Sequence, residues 1–318
     1  MIEPVPCAIS IVVPLFNEAE SLTTLHQEIL AALAHETRPW EIIFVDDGST
    51  DDSFAVIERL HQADRRVQAI QFRRNFGKAA ALAAGFAAAR GDIVITLDAD
   101  LQDDPAEIPR FMARLDEGYD LVNGWKHPRR DPWTKTWPSG LFNWTTARLS
   151  GIHLHDFNCG FKAYRREVTQ ELDLYGDLYR YIPVLAHWRG FRVTELKVHH
   201  RPRCFGRSKY GVSRFLRGFF DLLTVMFITQ YTTRPLHLFG WVGLAAFGLG
   251  FLINLYLTAL WFQGEGIGHR PLLTLGVLLI TTGVQFFSFG LLAEMLTRAA
   301  SAGRPAYSVR RRLGNEER

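Results

Sequence analysis

Ile93-Val94-Ile95-Thr96-Leu97-Asp98-Ala99-Asp100-Leu101-Gln102 opens with apolar and β-branched residues and then places carboxylates two positions apart. A near-solid apolar run of this length reads as a strand buried on both faces, as in a parallel sheet. The polar residues after it then stand at the strand's carboxyl end, where open α/β sheets bind ligands. The same rhythm runs through the preceding chain. Ile9 to Pro14, Glu41 to Asp46 and Val67 to Phe72 are strand-like. Helical patterns cover Ser21 to Ala34, Ser53 to Gln62 and Ala79 to Arg90, with Ser21 the expected N-cap. A further helix is expected from Pro105, a favoured first helical residue. A fifth strand is expected over Leu121 to Gly124. Strands alternating with helices predict an α/β domain with a mostly parallel sheet. Its strand ends bring Asn17 and Glu18, Asp46 and Asp47, Arg73 to Lys78, and Asp98 and Asp100 to one crevice.

Composition sets the outer bounds. Lys plus Arg number 36 and Asp plus Glu 33, a formal net charge of +3. That balance excludes a basic nucleic-acid arm and an acidic tail as the main theme. Hydrophobic residues make up 47% and charged residues 22%, which excludes a disordered chain. Cys7, Cys159 and Cys204 are too few and too scattered for a disulfide framework or a CxxC metal site.

The mean hydropathy is near zero, but it averages two unlike parts. No Asp, Glu, Lys or Arg occurs from Leu236 to Phe262, nor from Leu272 to Ala293. About 20 helical residues cross a hydrocarbon core, so both runs are long enough to span. Arg207, Lys209, Arg214, Arg217 and Arg234 precede the first. Arg298, Arg304 and Arg310 to Arg312 follow the second, while the intervening loop carries only Arg270 against Glu265. Positive flanks predict a membrane protein with both termini and the first domain cytoplasmic. Ile9 to Leu15 is too short for a signal peptide, so no leader is expected. The expected organisation is a soluble domain over 1–211, an interfacial segment over 212–234, two spans within 235–297, and a basic tail over 298–318. Arg214, Arg217 and Asp221 share one helical face of the interfacial segment, and apolar residues cover the rest.

Asp98 and Asp100 can reach one hard divalent cation, with a Gln102 oxygen as a third ligand. Mg²⁺ and Mn²⁺ prefer such oxygens and bridge them to substrate phosphates. The alternative is a solvated acidic turn, because Asp103 and Asp104 follow at once. The sequence has neither a GxxxxGK[ST] loop nor a GxGxxG after the first strand, which disfavours an ATPase-type cradle and a dinucleotide oxidoreductase.

Three motifs in order carry a resemblance: Val12-Val13-Pro14-Leu15-Phe16-Asn17-Glu18, Val45-Asp46-Asp47-Gly48-Ser49 and Asp98-Ala99-Asp100-Leu101-Gln102-Asp103-Asp104-Pro105. Together they resemble glycosyltransferase family 2 with its Rossmann-like GT-A fold. The paired C-terminal spans are similar to those of polyprenyl-phosphate glycosyltransferases, such as bactoprenol glucosyltransferases and, more distantly, dolichol-phosphate mannose synthases. The resemblance implies a nucleotide-sugar donor. Pro14, Asn17, Glu18 and Asp47 would line its base and ribose, with Asp46 beside them. Arg74 and Lys78 would meet the diphosphate, with Asp98 and Ala99 next to it. Asp98, Asp100 and Gln102 would hold Mg²⁺ or Mn²⁺. The implied acceptor is a polyprenyl phosphate, held by Lys126, Arg129 and an Arg…Gly-x-Ser-Lys pattern matched by Arg203, Ser208 and Lys209.

Asp156 matches the position where this family places its proposed catalytic base. A phosphate monoester is already largely dianionic at pH 7, so orientation of sugar hydroxyls, or of Lys126 or an Arg, stays open beside that role. The implied reaction is an inverting, metal-dependent hexosyl transfer from a UDP-sugar, with glucose favoured through Asn75-Phe76-Gly77-Lys78. A flippase and a second glycosyltransferase would handle the product. GDP-mannose or an amino-arabinose donor, a processive synthase and a non-catalytic scaffold are the alternatives. A synthase would carry QxxRW, and Leu185-Ala186-His187-Trp188-Arg189 does not fit it. Glycines on both spans, Gly240, Gly243, Gly248 and Gly250 against Gly276, Gly283 and Gly290, are expected to form oligomer packing surfaces.

Overall fold

The computed structural model describes residues 7–127, 147–148, 151–172, 174, 178–201, 235–264, 266–267 and 271–300. The chain forms two compact units, Met1–Val225 and Met226–Arg318.

The first unit is built on β1 (Ile9–Leu15), α1 (Ala19–Ala32), β2 (Trp40–Asp46), α2 (Ser53–Ala63), β3 (Val67–Gln71), α3 (Lys78–Ala88), β4 (Ile93–Thr96) and α4 (Ile108–Asp116). β5 (Leu121–Lys126), β6 (Lys162–Arg165), α5 (Arg166–Glu171), α6 (Ile182–Trp188) and β7 (Val193–Val198) complete it. The seven strands lie in the order β3-β2-β1-β4-β6-β5-β7. All neighbours are parallel except that β6 runs antiparallel to both β4 and β5.

Side chains alternate between faces along a strand, and the core divides accordingly. Ile9, Ile11, Val13, Ile42, Phe44, Ile93 and Ile95 pack with Leu22, Leu25, Ile57, Ile108 and Phe111 of α1, α2 and α4. Val12, Ile43, Val45 and Val94 pack on the other face with Ala81, Leu82, Phe86, Val168, Ile182 and Ala186 of α3, α5 and α6. Covering both faces makes β1 and β2 buried along their whole length. β3 is an edge strand and alternates between buried and open positions, so it is not buried on both faces.

The strand order reverses between β1 and β4, because the chain steps outward to β3 before crossing back to β4. A crevice opens at such a switch point. β6 has a different use. Being antiparallel, it enters the sheet at the end where β1 and β4 leave, with Lys162 opposite Thr96. The segment from Asp156 to Phe161 is thereby delivered to the crevice.

Two sequence expectations change in detail. α1 begins at Ala19 rather than Ser21, with Glu18 as N-cap. Asn17 takes a left-handed φ of 56° and turns the chain directly into the helix. Ser21 therefore lies inside the first turn, where its hydroxyl donates to the Glu18 carbonyl at 2.9 Å. The Pro105 start is present as a 3₁₀ turn, Pro105–Glu107, capped by the Asp104 carboxylate, and the α-helix follows at Ile108.

The second unit is a pair of helices, α7 (Pro235–Phe262) and α8 (Pro271–Ala300). Leu236–Phe262 and Pro271–Leu296 are long and apolar enough to cross a membrane. Leu252 is 61% exposed, Phe262 78% and Leu296 70%. A buried pair of soluble core helices would not leave such apolar surface open. A Cβ on Gly243 would stand 2.7 Å from the Gly283 carbonyl, and one on Gly250 2.7 Å from that of Gly276. One on Gly290 would meet the Leu236 side chain at 3.1 Å. These pairs fall in one helix as they rise in the other, so the helices are antiparallel. The glycines expected to serve an oligomer are spent on this internal contact, except Gly240 and Gly248, which meet no part of the other helix.

Candidate active site at the strand ends

The loops after β1 and β2 are tied together. Asn17 donates its backbone N–H to Ser49 Oγ at 2.9 Å, and its side-chain Oδ1 accepts the Thr50 N–H at 2.8 Å. The Glu18 N–H donates to Ser53 Oγ at 2.9 Å. Asp46 is fully buried, and its carboxylate accepts the Ser49 N–H at 2.9 Å and Gln71 Nε2 at 3.4 Å. It builds the turn, and Pro14 is likewise buried in β1. Asp47 accepts the N–H groups of Phe76 and Gly77 at 2.7 and 2.9 Å. Gly48 has φ +72°, and a Cβ there would lie 2.5 Å from the Arg74 backbone. These contacts draw the Arg73–Lys78 stretch against the end of β2. Arg74 lies over the Phe76 ring at 4.3 Å, and Lys78 opens α3 and forms an ion pair with Asp98.

Asp98 is the electrostatic centre. Burial works against its charge, but Lys78, Lys126 and Lys162 hold the carboxyl below its usual range. Burial also works against the Lys78 ammonium, yet Asp98 keeps its pKa above the lysine range. A Cβ on Gly160 would collide with the Asp98 carboxylate at 2.4 Å. Only glycine lets that segment pass so close. Leu101 has a left-handed φ of 60°, and the Asp100 carboxylate accepts the Gln102 N–H at 3.2 Å, which tightens the turn. The Gln102 backbone carbonyl accepts the Arg201 N–H at 2.9 Å. Its side-chain amide oxygen accepts no hydrogen bond from the described residues and is the freer of its two oxygens for a cation.

The described residues hold no group of three or more His, Cys, Asp or Glu that could bind a metal alone. Mg²⁺ is commonly held by one or two carboxylates together with substrate phosphates. Asp98, Asp100 and the Gln102 amide fit that pattern, and the Lys78 ammonium on Asp98 marks a carboxylate that takes a cation. Ala99 is buried in the turn.

Asp156 is 1% exposed and accepts the Asn158 N–H at 3.0 Å. The buried Asn123 amide donates to its carbonyl. Its charge supports Lys126 and Lys162, but the ion pair of Lys126 is with Asp103, at 3.6 Å. Arg129, Arg203, Ser208 and Lys209 lie outside the described residues. So do residues 128–146, the expected interfacial segment 212–234 and the tail beyond residue 300.

Two site residues escape a reading of the sequence. Lys162 is 4% exposed, and its ammonium donates to the Cys159 carbonyl. Asp103 is 1% exposed, so the acidic run is not a solvated turn. A lysine inside an apolar segment, Phe161-Lys162-Ala163-Tyr164, was the available signal for the first. Asp103 left none.

The mostly parallel two-faced sheet, its carboxylates at the switch point and the surrounding lysines define an α/β domain with a charged strand-end site suited to anionic ligands. Residues 10–173 match the glycosyl transferase family 2 model, and residues 234–299 match the GtrB C-terminal hairpin. The chain belongs to glycosyl transferase family 2 and is a glycosyltransferase. It is 39% identical over 95% of its length to a dodecaprenyl-phosphate galacturonate synthase of Rhizobium johnstonii, covering 92% of that protein. It is 40% identical over 98% of its length to an undecaprenyl-phosphate 4-deoxy-4-formamido-L-arabinose transferase of Pseudomonas fluorescens, again covering 92%. Its fold is similar to glucosyl-3-phosphoglycerate synthase from Mycobacterium tuberculosis, solved in complex with Mn²⁺, UDP and glucosyl-3-phosphoglycerate. The TM-score is 0.55, with 20% identity over 69% of this chain and 80% of that one. The GT-A fold expected from the motifs is thereby established.

Proposed function

We propose that this protein transfers one glycosyl group from a UDP-sugar to a polyprenyl phosphate at the cytoplasmic face of a membrane. The observation that carries the reading is the meeting of Asp98, Asp100 and Gln102 with Lys78, Lys126 and Lys162 at the strand ends of a chain that also has two membrane-length helices. The relatives named above act on a uronate and on a 4-formamido-arabinose. We therefore place the donor in that polar class ahead of glucose.

An acceptor phosphate oxygen attacks the anomeric carbon as the bond to the donor diphosphate breaks, with inversion. A divalent cation on Asp98, Asp100 and Gln102 would supply charge neutralisation for the leaving diphosphate. Lys78 and Arg74 bind that diphosphate from the other side. Asn17, Glu18 and Asp47 shape the nucleotide end, and each Asp47 oxygen keeps a second lone pair for a base N–H. Lys126 receives the acceptor phosphate, with Arg129, Arg203, Ser208 and Lys209 as further contacts. Asp156, buried beside these lysines, orients the acceptor side. The product would need a flippase and a second transferase to be used beyond the membrane.

The test uses purified protein in detergent with Mn²⁺ or Mg²⁺ and undecaprenyl phosphate. Radiolabelled UDP-galacturonate, UDP-4-deoxy-4-formamido-L-arabinose, UDP-glucose and GDP-mannose are offered in turn. Label should enter the organic phase from one of the first two donors. Asp100→Ala should lower that transfer about a hundredfold or more, the scale of losing one electrostatic element. Transfer from UDP-glucose alone would restore the glucose reading, no transfer from any donor with metal-dependent UDP binding intact would mean a different sugar or acceptor, and no UDP binding would overturn the proposed reaction.

A further inference from the structure

Asp103 is a buried carboxylate without a hydrogen bond. It is 1% exposed, and neither carboxylate oxygen has a hydrogen-bond partner among the described residues. Such a group is costly unless something nearby compensates. Its backbone is fixed on both sides. Asp103 bridges to His200, the Gln102 carbonyl accepts from Arg201, and the Asp104 carboxylate caps Ala106 and pairs with Arg201 at 2.8 Å. The backbone that carries the carboxylate is thereby pinned.

The compensating charge is Lys126, the last residue of β5. Its Nζ stands 3.6 Å from Asp103 Oδ1, inside ion-pair range but beyond a hydrogen bond. The lysine side chain is 16% exposed, so it is nearly enclosed. Attraction without a hydrogen bond has a particular result. The ammonium stays charged in a buried place, and its N–H donors are unspent on the described residues. Lys78 and Lys162 differ, since each donates to a partner, Asp98 and the Cys159 carbonyl respectively.

We propose that Asp103 is a positioning residue for Lys126, holding its ammonium charged and open for the phosphate of the acceptor without itself touching substrate. The inference rests on the reaction proposed above. The lysines then divide between the two substrates. Lys78 stands with the donor diphosphate, and the Asp103–Lys126 pair serves the acceptor.

The test compares the full-length protein with Asp103→Asn, Lys126→Gln and the double variant. Calorimetry in detergent measures the Kd for a short-chain polyprenyl phosphate and, with Mn²⁺, the Kd for UDP. Initial rates give the two KM values and kcat. Asp103→Asn is expected to weaken acceptor binding about tenfold, the effect of about one lost charge interaction, and to raise acceptor KM by a similar factor. UDP affinity should stay within about twofold, well below that effect. The double variant should bind acceptor no more weakly than Lys126→Gln, because residues acting through one another are not additive. If Asp103→Asn leaves a lone buried cation and fails to fold, the neutral double variant keeps the comparison with Lys126→Gln. Asp103→Glu, which keeps the charge, should retain most of the acceptor affinity. Effects that multiply in the double variant overturn the inference. So does an unchanged acceptor Kd in Asp103→Asn, or a shift confined to UDP. A wild-type protein that binds UDP but no polyprenyl phosphate overturns the proposed reaction and this inference together.

Discussion

Lys162 carries a charge in a place built for an apolar side chain. It faces Thr96 across β4 and β6 and is 4% exposed. Burial, with help from Lys78, pushes its pKa down to about 8, against the attraction of Cys159, Asp156 and Asp98. The native state therefore binds fewer protons than the unfolded chain between about pH 8 and the ordinary lysine range. Stability must rise with pH across that window and carry the full penalty below it. Lys162→Met should raise stability at pH 7 by on the order of 1–3 kcal/mol, seen as a higher melting temperature. The difference from wild type should shrink as pH climbs from 8 to 10.5, and thermal unfolding in detergent at a series of pH values measures it. Transfer activity should fall in the same variant, since the site loses one of the three ammonium groups around Asp98. Asp98 and Asp100 could be read from the sequence because an apolar run ends on them. Lys162 and Asp103 could not, because their importance comes from burial. Asp103 lies against a partner, His200, that is far away in the chain. Asp46 and Asp47 show the converse: both were legible as polar strand-end residues, yet both accept backbone N–H groups that shape the loops.

The elements with the strongest local signal were the most legible. β1, β2 and β4 are near-solid apolar runs, and their ends move by no more than a residue or two from the expected ones. β6 has four residues and no period of its own, so its antiparallel insertion could not be anticipated. The glycines of α7 and α8 were visible, but their partner was not. A small-residue stripe fits a neighbouring helix of the same chain as well as one of another copy. The structure decides for the same chain: a Cβ on Gly283 would lie 2.6 Å from the Phe247 backbone N. Gly283→Leu must push the helices apart. It should lower stability by about 1–3 kcal/mol, as overpacking does, seen as an earlier thermal transition in detergent. Gly248→Leu is the control, because nothing stands within 4 Å of its added Cβ, and its transition should stay at the wild-type temperature.

At the scale of the whole molecule, the chain combines a unit that manages water-soluble chemistry with one built for lipid. The split near residue 235 was legible because uncharged runs of 27 and 22 residues cannot be mistaken for strands or short helices. The described members of the three hydrophobic clusters of the first unit all fall between Ala8 and Val198. Donor binding should then need that unit alone, whereas meeting an insoluble acceptor should need the helices. Holding an enzyme at the surface that carries its substrate raises the effective concentration of that substrate without a new contact. A chain ending at Val225 should bind UDP with Mn²⁺ within about threefold of the full protein, less than 1 kcal/mol of difference. Its transfer to undecaprenyl phosphate in vesicles should drop on the order of a hundredfold. Transfer to a short-chain, water-soluble polyprenyl phosphate should fall far less, because that acceptor diffuses to the site. Parallel assays with the two acceptors measure the ratio. An equal loss with both would mean that the helices shape the site as well as anchor it, and an unchanged rate in vesicles would mean that the first unit finds the membrane by itself.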